Sequence, residues 1–207
     1  MKLNLKAISE VLLAVRDYLF PYEKISKKFL KINNESDLKN FIKEKSAFVT
    51  QSTLYGYLKT RMGLKQNMMF TDDVFLESVN KAKWNIFSEA VTDLTFYSVS
   101  FLNKKYNINN LDPYKIYETI LDNEIITGLP KDLCEKYKSK FKEKINSFNI
   151  KEYSDNGPFA NSCEALFHWA PIADELKELD KEIVINSIKN KWMLVVADLE
   201  KISVNLK

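Results

Sequence analysis

The amino-acid sequence predicts an all-α fold: a single-domain bundle of about seven to nine helices around one long central helix at residues 71–106. Glycine and proline are scarce, with 4 and 5 copies in 207 residues, which disfavours the many tight turns of sandwiches and barrels. Apolar residues recur at steps of three and four, and long stretches contain no helix breaker. Together these patterns are typical of packed amphipathic helices.

Composition and charge restrict the function without identifying it. Hydrophobic residues make up 45% and charged residues 29% of the chain, as in ordinary soluble globular proteins. The 31 basic and 28 acidic residues give a net charge of +3, so nucleic-acid binding is not expected. Cys134 and Cys163 have no metal-type spacing. Because no secretory signal or membrane-span pattern is present, we expect a cytoplasmic protein.

The N-terminal segment, residues 1–32, is predicted to be basic, helical and amphipathic. Its apolar side consists of Leu5, Ile8, Leu12, Val15 and Leu19. Pro21 ends or kinks the first helix, and lysines cover the polar side of the part that follows. Such a segment packs on its own domain or lies peripherally on an anionic membrane surface, and both interpretations stay open.

A second long helix is predicted from an N-cap at Ser36 to a stop at Gly63. Within it, Gln51, Tyr55 and Arg61 interrupt the apolar pattern with polar groups. These three side chains either line a ligand-binding groove, or Gln51 and Tyr55 lie in the core or at its boundary while Arg61 is solvated.

The central helix is predicted to begin at an N-cap on Thr71 and to end after the pair Lys104 and Lys105, which suits the negative end of the helix dipole. A kink or break is expected near Thr92–Thr95, where helix propensity is lowest.

The C-terminal half is predicted to contain three further units. Asp112 before Pro113 begins a short helix. A lysine-rich helix follows, and its outer side is either a solvated helix face or a contact for an acidic partner or a phosphate surface. This outer side carries Lys136, Lys138, Lys140, Lys142 and Lys144. The last helices start at about residue 158, with a break expected near Asp180. The apolar residues expected to face the core there include Leu176, Leu179, Ile183, Ile188, Trp192 and Leu199.

Most catalytic motifs are absent from the sequence: it has no P-loop, no dinucleotide fingerprint, no nucleophile elbow and only one histidine. One constellation remains. Glu89 and Asp93 lie at i and i+4 on the central helix, and Glu164 and His168 have the same spacing on a later helix. If the two helices face each other, these four residues form a metal site, an acid–base or ligand site, or a polar network that fixes helix register.

Three functions remain open on these grounds. The first is a non-catalytic helical interaction protein, such as an adaptor, assembly factor or regulator, with a protein partner or self-association. The second is a binding protein for a small apolar ligand or lipid, which the 13 Phe, 10 Tyr and 3 Trp support. The third is a metal-dependent or acid–base enzyme that uses the Glu/Asp/His constellation. No particular cofactor is indicated.

Overall fold

The computed structural model describes residues 31–63, 70–147, 149–155 and 158–204, and within these it has six α-helices. They are α1 (Glu35–Met62), α2 (Asp73–Tyr106), α3 (Pro113–Ile125), α4 (Lys131–Ser147), α5 (Ala160–Trp169) and α6 (Asp174–Lys201). A 3₁₀ turn at Ile150–Glu152 precedes α5. The all-α prediction is confirmed, while the described residues contain fewer helices than the seven to nine expected. The helices and the membrane contact predicted for residues 1–30 lie outside the described residues.

Helix α2 is the element on which the other helices pack, and it contacts α1, α3, α5 and the 3₁₀ turn. From residue 82 to residue 100 every side chain is buried, so this part of α2 is covered on all sides. The break predicted at Thr92–Thr95 is absent, because packing on every side outweighs weak local propensity. The N-cap is Asp72, which accepts from the Phe75 N–H at 3.0 Å, rather than Thr71.

Helix α1 runs antiparallel to α6. Lys45 pairs with Asp198 at 2.6 Å near one end, and Arg61 pairs with Asp180 near the other. The N-cap of α1 is Asn34 rather than the predicted Ser36.

Two short strands tie the ends of the described chain together. β1 (Lys31–Ile32) pairs in parallel with β2 (Ser203–Val204), directly after α6. The side chain of Ile32 is fully buried. Ile32 is therefore part of a strand, and the helix predicted to extend through residue 32 does not reach it.

Helices α3 and α4 cover one flank of α2. The predicted start of α3 is confirmed, since Asp112 caps it by accepting from the N–H groups of Tyr114 and Lys115 at 2.9 and 3.1 Å. Phe141 of α4 stacks on Tyr117 of α3, with ring centroids 3.9 Å apart. Aromatic stacking of this kind fixes how α4 lies on the rest of the core.

Helix α6 is continuous from Asp174 to Lys201, so the break predicted near Asp180 does not occur. The expectation that Ile188, Trp192 and Leu199 face the core is confirmed, because all three side chains are buried. The expectation for Leu176, Leu179 and Ile183 is wrong, because all three side chains are exposed.

Candidate functional site

Glu89, one of the two carboxylates singled out on the central helix, is buried and ion-paired. It is 4% exposed and faces α4, where its carboxylate pairs with the ammonium groups of Lys140 and Lys144, the latter at 3.0 Å. Charge-assisted hydrogen bonds of this kind compensate for the loss of hydration at a buried carboxylate. The pairing therefore fixes α4 against α2.

Asp93 lies at the centre of a hydrogen-bond network that joins α2, α5, α6 and the turn before α5. Its carboxylate is fully buried and accepts from Tyr153 Oη at 2.6 Å, Asn161 Nδ2 at 2.6 Å and the Ser162 N–H at 2.7 Å. Ser162 Oγ in turn accepts from Trp192 Nε1 at 2.9 Å. Burial raises the pKa of the Asp93 carboxyl, and its hydrogen bonds oppose that rise.

The same carboxylate supplies a helix cap from across the fold. Helix α5 begins after Phe159, whose ring cannot accept a capping hydrogen bond and whose backbone is left-handed, with φ 72°. Ser162 is the third residue of α5, so Asp93 satisfies an N–H of the first turn and meets the positive end of the helix dipole. This arrangement gives Asp93 a structural role.

Glu164 and His168 lie apart from this network and are exposed on α5. They follow Ser162 by two and six residues, which turns them to about the opposite side of a helix with 3.6 residues per turn. Within the described part of the chain, the hydrogen bonds of Glu89 and Asp93 come from other groups. The expected convergence of the four residues into a metal or acid–base site is therefore not formed.

The three residues expected to line a groove on α1 do not form one surface. Gln51 and Tyr55 are half-buried beside Lys83, in a small pocket between α1 and α2. Arg61 reaches α6, where its Nε donates to the Asp180 carboxylate at 2.5 Å and its Nη2 pairs with the same group. This two-point contact holds the end of α1 on α6.

A cleft of about 210 Å³ lies beside this contact, between α1, α5 and α6. Burial, and then the neighbouring Asp180 carboxylate, raise the pKa of Tyr57 in this cleft to about 12. Because Asp180 is already held by Arg61, the charged groups of the cleft are engaged with each other.

The basic surface predicted on α4 is largely used within the chain. Lys142 lies over the ring of Tyr114, 4.4 Å from its centroid, and Lys138 pairs with Asp122 at 2.5 Å. Together with the two lysines on the buried carboxylate of α2, four of the five lysines expected to meet an acidic partner have partners in this chain. These four are Lys138, Lys140, Lys142 and Lys144.

Asp122, Cys134 and Glu135 are the one group in the described residues whose ligand atoms lie close enough for a metal ion, within 4.8 Å of one another. The ammonium of Lys138 lies in this group, 2.5 Å from Asp122 and 3.1 Å from Glu135. Burial raises the pKa of the Cys134 thiol to about 11, which disfavours a thiolate ligand at neutral pH. The group is best described as an ion-paired cluster around the lysine.

The clearest candidate for a functional surface is the exposed side of α6. Seven large hydrophobic side chains are exposed in the described residues, and five of these lie on α6, with Leu179 77% and Ile183 72% exposed. Four of these five lie in a row of six positions with steps of three, four, three, four and three residues, the spacing of a coiled-coil seam. We term this row the α6 face; it consists of Leu176, Leu179, Ile183, Asn186, Asn190 and Met193, with Leu194 beside it.

An open, largely apolar groove of about 460 Å³ lies next to the C-terminal half of the α6 face. It is lined by Tyr97, Phe159, Trp192, Met193 and Val196, among others. The rings of Phe159 and Trp192 stack with centroids 4.4 Å apart, so part of the lining is a rigid aromatic pair.

Helix α6 carries two apolar rows, which helical periodicity alone does not separate. One row, with Ile188, Val195 and Leu199, is buried, and the other is the α6 face. Both rows have helical spacing, so periodicity alone predicts that both face the core. A heptad count over residues 176–193 is the signal that separates them.

No family model, curated protein or solved structure matches the chain significantly. Among the helices described, none combines the length and the apolar character needed to cross a lipid bilayer. Inference about function therefore depends on the surfaces and polar groups described above.

Proposed function

We propose that this protein is a non-catalytic helical interaction protein, an adaptor, assembly factor or regulator, that binds its partner through the α6 face. The observation that carries the proposal is that five of the seven large hydrophobic side chains exposed in the described part of the chain lie on one helix. Single exposed apolar residues are ordinary, whereas several on one side of a helix, spread over about five turns, are typical of a helix-binding interface.

Catalysis has less support than binding. The carboxylates of Glu89 and Asp93 are occupied by lysines and by hydrogen-bond donors that hold helices together. The exposed His168 packs its ring edge-on against Trp169, with centroids 4.9 Å apart. Neither arrangement offers a free acid or base next to an enclosed pocket, which acid–base chemistry requires.

A photo-crosslinking amino acid at position 179 of the full chain tests the proposal. We expect adducts between separate polypeptides on illumination, because Leu179 is the most exposed of the large hydrophobic side chains on α6. The matched control places the same amino acid at Ile126, which is 89% exposed but lies in the turn after α3. Adducts formed solely within one polypeptide, to residues 1–30, would show that the chain covers its own α6 face and would contradict the proposal.

A second candidate is binding of a small apolar ligand or lipid in the groove beside Met193. The observation that favours it is the groove's volume of about 460 Å³, which falls in the usual range for ligand pockets. Native mass spectrometry of purified protein would then detect a retained ligand. Val196→Arg, which places a charge in the groove, is expected to abolish that signal, and retention of the ligand in this variant would rule out the groove as its site.

A further inference from the structure

We propose that the partner of the α6 face is a second copy of this chain, with the two α6 helices packed antiparallel. This inference rests on the proposed function and specifies its partner. Shape, charge and symmetry each support it.

The two halves of the α6 face differ in shape. The N-terminal half carries three exposed aliphatic side chains, Leu176, Leu179 and Ile183. The C-terminal half borders the groove of about 460 Å³ beside Met193. In an antiparallel pair the leucines of each copy meet the groove of the other, so that knobs face holes at both ends. A parallel pair would set leucines on leucines and leave both grooves open to solvent.

The charges of α6 also reverse along the helix. The first nine residues, 174–182, contain five acidic and two basic side chains, whereas the charges between Ile183 and Trp192 are Lys189 and Lys191. An antiparallel pair brings the acidic half of each copy against the basic half of the other, and it also opposes the two helix dipoles favourably. A parallel pair would place like charges side by side.

One pair of charges defines the expected register. Glu182 and Lys189 are both exposed and lie seven residues apart, on the same side of the helix. With a two-fold axis midway between them, Glu182 faces Lys189 of the partner subunit, and the contact occurs twice in the dimer. The amides of Asn186 and Asn190 lie near the middle of the seam and weaken it relative to an all-apolar one. We therefore expect association on the order of micromolar, suited to reversible exchange.

Analytical ultracentrifugation of the full chain tests the second copy directly. We expect a monomer–dimer equilibrium that Ile183→Asp weakens by about 30-fold or more, since it puts a charge in the centre of the apolar row. The matched control is Ile126→Asp, which is expected to leave the equilibrium unchanged. Equal loss of association in both variants would overturn the assignment to the α6 face.

Charge reversal tests the register. Glu182→Lys and Lys189→Glu are each expected to weaken the dimer by about fivefold, and the double variant is expected to recover most of that loss. Recovery requires position 182 of one copy to face position 189 of the other. Additive weakening in the double variant would exclude the proposed register.

Cysteine crosslinking tests the orientation. Leu176→Cys chains mixed with Met193→Cys chains are expected to form a disulfide between the two variants, while Leu176→Cys alone is expected to link poorly. The native thiols of Cys134 and Cys163 are buried and should not interfere, since burial raises their pKa values to about 11 and about 12. Efficient linking of Leu176→Cys to itself would overturn the antiparallel arrangement.

If the protein is a monomer at all concentrations, the partner of the α6 face is not a second copy of this chain. Thiol labelling then separates two cases. If Leu179→Cys reacts freely in the native monomer, the α6 face is open and the proposed function stands with another partner. If Leu179→Cys is protected in the native monomer and reacts only after unfolding, the chain covers its own α6 face and both proposals fail.

Discussion

Helices α2 and α6 depart from the usual distribution of side chains in opposite directions. Helix α2 buries charged groups, with Glu89 4% and Asp93 0% exposed, while α6 exposes Leu179 and Ile183 by more than 70%. The buried charges of α2 are matched by donors from α4, α5 and the turn before α5. The exposed aliphatic groups of α6 face solvent.

The difference indicates which region holds the fold together and which one is available for binding. A buried carboxylate is retained only where partners offset its desolvation, so the partners of Glu89 and Asp93 explain why these residues are tolerated. An exposed leucine gains about 25 cal/mol for each Å² that a partner removes from water. Substitutions on α2 should therefore affect stability, and substitutions on the α6 face should affect association.

The largest stability effect is expected for Asp93→Ala. The change removes the shared acceptor of three hydrogen bonds, from Tyr153, Asn161 and Ser162, and it removes the cap of α5. We expect a loss of about 3 kcal/mol in the free energy of unfolding, measured by urea denaturation. The control is Asp155→Ala, an exposed carboxylate in the turn before α5. A loss below about 1 kcal/mol for Asp93→Ala would show that the Asp93 network does not hold these elements together.

An intermediate effect of opposite sign is expected for Lys83→Met on α2. Lys83 is 5% exposed, and burial lowers its pKa to about 8, partly opposed by Glu124. Its ammonium lies 4.1 Å from the Trp84 ring centroid, a contact that the substitution also removes. Allowing for that loss, we expect a gain of about 2 kcal/mol at pH 7, because a buried positive charge is removed.

The pH dependence of the same variant provides a sharper test. As pH rises above about 8, Lys83 in the folded protein loses its proton, while in the unfolded chain, where its pKa is near the ordinary 10.5, it stays protonated. Unfolding then takes up a proton, so the wild-type protein becomes more stable between pH 8 and pH 9.5. The gain in the free energy of unfolding that Lys83→Met gives should therefore shrink over that range. Urea titrations at several pH values measure it. The control, Lys59→Met at an exposed position, should differ little from wild type at every pH. A constant advantage would show that Lys83 does not titrate there.

The fold was predictable from sequence where local signals determine it. The breaker-free stretch, the acidic first turn and the terminal lysines locate α2 to within two residues, and the Asp112–Pro113 pair locates the start of α3. The missed caps at Asn34 and Asp72 lie one or two residues from the predicted ones, since several neighbouring residues can cap.

The site was predictable in part. The i, i+4 spacing identified Glu89 and Asp93 as unusual, but their partners Lys140 and Tyr153 lie more than 50 residues away in sequence. Periodicity shows which residues share a side of a helix, and it does not show which side a neighbour covers. Covering depends on tertiary packing, and for this reason the exposed row of α6, including Leu179, was expected in the core.

The smallest stability effect is expected on the α6 face, and two isoleucines five residues apart on α6 allow a direct comparison. Ile188 is fully buried, so Ile188→Ala should lower the free energy of unfolding by about 3 kcal/mol through lost burial and a cavity. Ile183 is 72% exposed, so Ile183→Ala should change it by less than about 0.5 kcal/mol in dilute protein, where the monomer predominates. At high concentration Ile183→Ala should lose the stabilisation that association gives the wild-type protein, because only the folded chain binds a partner. Urea denaturation at two protein concentrations measures both the stability of the monomer and the stabilisation by association. An equal loss for the two alanine variants in dilute protein would place Ile183 inside the chain's own core.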